Sequence, residues 1–353
     1  MKLRPLQLWL GAVLAVAGRA APPPADPAVA FVDALPLYAP AGHVSGTIRL
    51  WGHGSPKHDF MGRLMNAWIA GFAKYQPDVK FENHMFGTAS AIGALYTGAG
   101  DIAILGEEIS PAAAAAFARE KHYAPTGIQI ATGSLDVNFF DYAHMVFVHR
   151  DNPLAGLTLA QLDAIFGAEH RRGPRNLRSW DELGLTGPWQ GRRIQPYGWQ
   201  VDVDFALFFR EAVLENSHRW NTDLQEFVHV KRPDGTQYDH GQQILDALAR
   251  NPAGIAISNV RYANPLVRAL PLARAAGEPF YAPTKANLIA QTYPLGRIIP
   301  AFIDQAPGQP VDPKVREFLR YLLSREGQQA LVHDSDYLPL GADAIRRQLE
   351  KLP

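Results

Sequence analysis

Cysteine is absent from this chain, which excludes disulfides, thiolate metal sites and cysteine nucleophiles. The residue that would carry an N-terminal lipid is missing too, so an exported form is expected to be soluble rather than lipid-anchored. Charge bias is also lacking: 34 Lys and Arg balance 34 Asp and Glu, so no basic field points to nucleic acid or an anionic membrane. No internal repeat of solenoid length occurs, and the Gly-x-Ser-x-Gly elbow of a serine hydrolase is not formed around Gly54-Ser55. Hydrophobic residues at 47% and charged residues at 19% of 353 positions describe an ordinary globular chain with room for one large or two medium domains.

What is present begins with an export pattern. Lys2 and Arg4 precede an apolar stretch from Leu6 to Ala17 that is too short to span a bilayer comfortably. Ala15-Val16-Ala17 fits a small-x-small cleavage site, and Gly18-Arg19-Ala20 is a second option. A buried N-terminal helix is the competing reading. Residues 1–20 are assigned as a signal peptide, and export without a lipid anchor suits a Gram-negative periplasm. Residues 21–44 read as a Pro/Ala-rich tether. Its first part, Ala21 to Ala30, has neither helical nor strand period and is expected to be extended or disordered.

Beyond it, strands and helices alternate. Gly46 to Trp51 alternates as a strand, and Arg63 to Tyr75 places Leu64, Trp68, Phe72 and Tyr75 on one helical face. Asp78 to Glu82 and Asp101 to Leu105 are further strands, with a short helix over Ala89 to Tyr96. Met145 to Val148 is a strand, and Thr158-Leu159-Ala160-Gln161 is a capping box opening a helix that Gly167 stops. Phe205 to Leu214 and Gln242 to Ala249 read as helices, and Gly254 to Ile257 as a buried strand. Asp312 and Pro313 cap and open the last expected helix. This alternation implies parallel sheets with helices on their faces.

Three stretches then suggest a family. They are FVHRDNPLAGLTLAQLDAIFG (Phe147 to Gly167), ALARNPAGIAISNVRYA (Ala247 to Ala263) and VREFLRYLLSREGQQALVHDSDYLPL (Val315 to Leu340), the last preceded by Tyr293-Pro294-Leu295. In this order and at these separations the chain, from about Ser45 onward, resembles the periplasmic phosphate-binding proteins that feed oxyanions to ABC transporters. The resemblance implies an α/β, two-lobed type II periplasmic-binding-protein fold, each lobe a mostly parallel sheet flanked by helices. One lobe would comprise residues 45–146 and 298–353 and the other 147–297, with crossings near Phe147 and Arg297. The ligand would sit between the lobes, against helix N-termini and the carboxyl ends of strands.

Four loops are expected to line that cleft. The first runs from Gly52 to Phe60, between a strand and a helix whose dipole favours an anion. By resemblance Gly54, Ser55, Asp59 and Phe60 are its contact residues, although Asp59 also suits a plain N-cap. In the second, Phe86 to Ser90, Gly87 offers an amide, Thr88 is the preferred hydroxyl and Ser90 the reserve; N-capping by Thr88 is equally open. In the third, Gly100 to Ser110, Glu107 stands near where phosphate-specific relatives place an Asp that accepts the proton of a monoprotonated phosphate. Alternatively Glu107 and Glu108 open the next helix. The fourth, Trp199 to Phe205, departs from the family: its relatives carry an arginine and a Ser-Gly-Thr turn, whereas this chain shows Trp199, Asp202 and Asp204. A carboxylate facing phosphate in a closed cleft is repelled.

Lys57, His53, His58 and Arg261 are the cations that would replace the missing arginine. His53, His58, Asp59 and Glu107 could in principle form a nitrogen/oxygen metal site, but the spacing of His53 and His58 matches no helical or strand ligand pair; His144 and His149 have opposite strand parity and cannot chelate together, and the remaining histidines read as structural or exposed. The sequence thus points to a periplasmic solute-binding protein, not an enzyme and with no cofactor, capturing phosphate or a phosphate-like oxyanion as a monomer for a membrane permease. A same-fold binding or sensory module with an organic or non-phosphate ligand is the first rival, and a secreted metal-dependent enzyme the second.

Overall fold

Residues 26–53, 60–137 and 142–352 are described by a computed structural model. Two five-stranded sheets organise them. The first has the order Val79–His84, Gly46–Gly52, Ile102–Ile104, Ile298–Ile303, Thr126–Thr132. Its first three strands pair in parallel, and Ile298–Ile303 runs antiparallel to both its neighbours. The second sheet repeats the plan as Gln225–Phe227, Gln195–Trp199, Gly254–Ser258, Met145–His149, Val267–Ala269. Here Met145–His149 is the antiparallel strand, and the first three again pair in parallel. Each sheet is therefore mostly parallel, interrupted by the one strand that has just come from the other lobe. This is the two-lobed type II architecture.

Periodicity explains the packing. In the helix Phe60–Phe72, Leu64, Trp68 and Phe72 recur every fourth residue and are fully buried. Burial of each such side chain contributes roughly 1.5–3 kcal/mol. Trp68 also donates its indole N–H to the Gly327 carbonyl at 2.8 Å, so the large ring is buried with its polar atom satisfied. Tyr75 lies past the helix end and is 38% exposed, so the expected fourth member of this stripe is outside it. Separate hydrophobic cores underlie the two sheets: Ile48, Leu50, Trp68 and Phe318 belong to one, Phe147, Phe166, Trp180 and Ile255 to the other.

Local signals set several helix ends. Gln161 N–H donates to Thr158 Oγ1 at 3.2 Å and Thr158 N–H to Gln161 Oε1 at 2.9 Å, completing the expected capping box of Leu159–Phe166. Asp312 caps Pro313–Leu322, accepting the Lys314 N–H at 3.0 Å. That helix is not the last, because Arg325–Asp334, capped by Ser324, and Ala342–Leu349 follow it.

The N-terminal stretch also differs from its extended expectation. Pro27–Asp33 is a helix: Asp26 accepts the Ala28 N–H at 3.0 Å, Pro27 occupies the first turn, and Ala28 and Val32 bury the i, i+4 face. This helix packs against Lys285–Ile289 on one side and Arg325–Asp334 on the other. An Asp26–Lys285 ion pair at 2.7 Å adds to the first contact.

The two connections between sheets lie side by side. Gly133 N–H donates to the Arg297 carbonyl at 2.9 Å, and His144 N–H to the Leu295 carbonyl at 3.0 Å. Asn259, at the end of a second-sheet strand, donates its amide to the carbonyls of Leu135 and Ala143 at 2.8 and 2.9 Å.

Candidate functional site

Three first-lobe loops converge where strands end. Gly52 closes its strand at φ 136°, and a Cβ there would stand 1.9 Å from the Ile104 carbonyl oxygen. Only glycine fits this approach. The Gly52 carbonyl accepts the Gly87 N–H at 2.8 Å, joining the first and second loops. His53 N–H donates to the Ile104 carbonyl at 2.7 Å, and its ring lies on Gly106, where a Cβ would meet Nδ1 at 2.3 Å. The third loop is thereby drawn in beside the others. His53 also shares a 3.3 Å hydrogen bond with the Tyr337 hydroxyl.

Gly54, Ser55 and Asp59, with Lys57 and His58, lie outside the described residues, as does the Phe60 side chain. Gly87 has committed its amide to Gly52, so it is not an anion donor here. Thr88, half-buried, and Ser90, exposed, share the 3₁₀ turn Thr88–Ser90 leading into the helix Ala91–Tyr96. Neither side chain makes a capping hydrogen bond, so the N-cap reading of Thr88 does not hold. Glu107 is half-buried beyond the strand Ile102–Ile104. The following helix starts at Pro111 and is capped by Ser110, which accepts the Ala113 N–H at 3.2 Å; Glu107 and Glu108 therefore do not open it.

In the second lobe, Trp199 is 3% exposed and stacks on Phe205 at 5.2 Å and against His144 at 4.5 Å. It packs as a core residue, and among the described residues no hydrogen-bond partner is present for its indole N–H or for either His144 ring nitrogen. Burial, reinforced by nearby Arg297, pushes His144 well below the usual imidazole range. Asp202 is exposed in the turn before the helix Asp204–Ala212, whose cap Val203 supplies no side-chain acceptor. Those first-turn N–H groups leave a positive dipole end beside a carboxylate.

The expected cationic substitutes fare differently. Burial pushes His53 down to about 4, so it is a neutral hydrogen-bonding group at neutral pH. Arg261 is exposed, its guanidinium 5.9 Å from the Tyr262 ring centroid. A cation that the sequence reading passed over, Arg297, is 3% exposed at the second crossing. It pairs with Glu108 at 2.5 and 3.2 Å and lies over Phe208 at 5.4 Å. Its place at the end of Tyr293-Pro294-Leu295-Gly296, immediately before a crossing strand, was the available signal.

A cavity of about 390 Å³ adjoins this pair, lined among others by Glu108, Gln129, Phe208, Glu211 and Lys351. Burial and the Glu108 charge raise the Glu211 carboxyl above the ordinary range. Lys351 in the wall and Arg297 on Glu108 offset the two carboxylates, so the lining shows no built preference for an anion.

A profile of the PBP superfamily domain matches residues 47–326. The phosphate-binding protein PstS of Pseudomonas aeruginosa, in strains PAO1 and UCBPP-PA14, is 30% identical over 355 residues, covering 100% of this chain and 99% of the relative. The chain belongs to the phosphate-binding-protein family of the PBP superfamily. Among solved structures, PstS from Borrelia burgdorferi superposes with a TM-score of 0.55 at 14% identity, covering 84% of this chain and 100% of that one. That likeness bears on the fold alone.

Proposed function

We propose that this family member is a periplasmic receptor that captures phosphate or a phosphate-like oxyanion between its lobes and presents it to an ABC-type permease, without covalent chemistry. One observation carries the reading: the alignment with PstS runs through the whole chain, so both lobes and all four candidate loops fall inside it. The convergence of strand ends and helix N-termini supports it, because exposed N–H groups and helix dipoles favour a small anion. In this reading residues 45–146 with 298–353 and residues 147–297 are the lobes, and the signal segment 1–20 directs export. Closure follows from contacts made to both lobes at once.

Roles follow from position. Gly54, Ser55, Asp59 and Phe60 contribute the first loop, the Thr88 hydroxyl donates with Ser90 in reserve, and Glu107 accepts the proton of a monoprotonated anion. Calorimetric titration at neutral pH is the test. One-to-one phosphate binding with sulfate rejected is expected; no heat with phosphate while another anion saturates the protein would sink the reading.

A second reading has its own support. Asp202 stands at the start of the second-lobe helix, and Arg297 is already paired with Glu108. Charge at this end favours a ligand less anionic than phosphate, taken up by a same-fold receptor or sensor. A thermal-shift screen of phosphonates, sugar phosphates and neutral organics separates the two, since a ligand that binds only the folded state raises the melting temperature.

A further inference from the structure

Beside Trp199 and Phe205, the second lobe gathers three metal-ligating side chains that the oxyanion reading leaves unused. His229, Asp239 and His240 each offer one donor atom, and the three lie within 4.8 Å of one another. His229 Nδ1 is 3.7 Å from Asp239 Oδ2, and His240 Nε2 is 3.8 Å from Asp239 Oδ1. The imidazoles stack with centroids 4.0 Å apart and planes inclined by 22°.

The geometry points to a binding site for a borderline divalent transition-metal ion such as Zn(II), held by His229, Asp239 and His240. Two imidazole nitrogens and one carboxylate oxygen form the donor set that such ions prefer over magnesium or calcium. With metal–ligand bonds of about 2.0–2.1 Å, donors around a tetrahedral ion sit roughly 3.3–3.5 Å apart. The two carboxylate-to-imidazole contacts run to different oxygens of Asp239, and with one donor atom from each residue the three lie within 4.8 Å, so closing on an ion takes a contraction of at most about 1.5 Å between any two of them. The two rings must turn out of their stack so that their in-plane lone pairs converge.

The cluster has two fixed members and one movable one. Asp239 is held as the cap of the helix His240–Arg250, its Oδ1 accepting the Gly241 N–H at 2.9 Å. The His240 side chain is 8% exposed, its ring facing Phe205 and Trp199 at 5.5 and 6.3 Å. The His229 side chain is 45% exposed and can rotate at little cost. Its present tie is a 3.4 Å contact from the His240 backbone N–H, which metal binding at Nδ1 would replace. Three protein ligands, one of them at the surface, leave a further coordination position open to water or an anion. The helix N-terminus opposes a cation, and the Asp239 carboxylate offsets that field.

The test uses tag-free full-length mature protein in phosphate-free buffer, titrated with Zn(II) alone by calorimetry and by competition with a chromogenic chelator. One ion per chain with a Kd of about 10 μM or tighter is expected. His229→Ala, at an exposed position, should weaken binding about tenfold or more while leaving the melting temperature of the metal-free protein unchanged. Asp239→Asn keeps a capping side chain and should weaken binding comparably. Anomalous scattering at the zinc edge should place the ion between these residues. Absence of stoichiometric binding, unchanged affinity in both variants, or an ion located elsewhere would each overturn the assignment. None of these readouts depends on whether the cleft takes phosphate.

Discussion

Arg297 and Glu108 are 189 residues apart in the chain and form a two-point ion pair at the junction of the lobes, with Nη2–Oε2 at 2.5 Å and Nε–Oε1 at 3.2 Å. The arginine side chain is 2% exposed and the glutamate 17%. Removing one partner of a buried pair leaves the other charge without compensation, a loss of about 3–5 kcal/mol. Glu108→Gln is therefore expected to lower stability by an amount near that range, measured by urea denaturation. A variant that unfolds at the wild-type midpoint would show that the pair contributes nothing.

A second expectation concerns acid. His53 is depressed from 6.5 to about 4 by burial, so the unfolded chain takes up this proton more readily than the folded one. Its contribution is fully present above pH 6.5 and is lost as pH falls from there towards 4. At about 1.4 kcal/mol per pH unit, the loss reaches at most roughly 3 kcal/mol. His144 is also held neutral by burial and acts in the same direction. His53→Gln should flatten the stability profile between pH 6.5 and 4; an unchanged slope would remove His53 from the account.

Gly52 supplies a third. Its φ of 136° and the 1.9 Å clash of any Cβ with the Ile104 carbonyl combine strain with overlap. Gly52→Ala is expected to cost about 2 kcal/mol or more. It should also weaken anion binding, because the Gly52 carbonyl positions the Gly87 loop. Full stability by thermal denaturation would contradict the packing described here.

Thr88 gives the contrasting case. Its side chain makes no capping bond, so Thr88→Ala should leave the melting temperature unchanged. If its hydroxyl holds the oxyanion, affinity should drop by about 1–2 kcal/mol. Glu107→Gln should narrow the preference for monoprotonated over fully ionised anions. Calorimetry showing unchanged affinity and selectivity in both variants would take these residues out of the site.

Much of the fold was legible because its signals are local. The Thr158–Gln161 capping box, the Asp312-Pro313 opening and the Leu64, Trp68, Phe72 stripe are written within a few residues of where they act. The helix Pro27–Asp33 was hidden, since prolines and alanines there mimic a tether and the buried face is only Ala28 and Val32. The site was less legible for a different reason. Nothing near Arg297 announces Glu108, and nothing near His229 announces that Asp239 and His240 fold back onto it. Trp199 stands in a candidate ligand loop by sequence, but a tryptophan there serves a core equally well, and its 3% exposure places it in the core.

The short helix Pro27–Asp33 has a mechanical consequence. It rests on Lys285–Ile289, from the stretch that leads into the second crossing, and on Arg325–Asp334 of the other lobe. Its cap Asp26 lines one hollow together with Leu135 and Val137 of the first crossing. Asp26 thus stands close to the two crossings, so a load applied to this helix has a short lever arm about the line that joins the two sheets and exerts little torque on either.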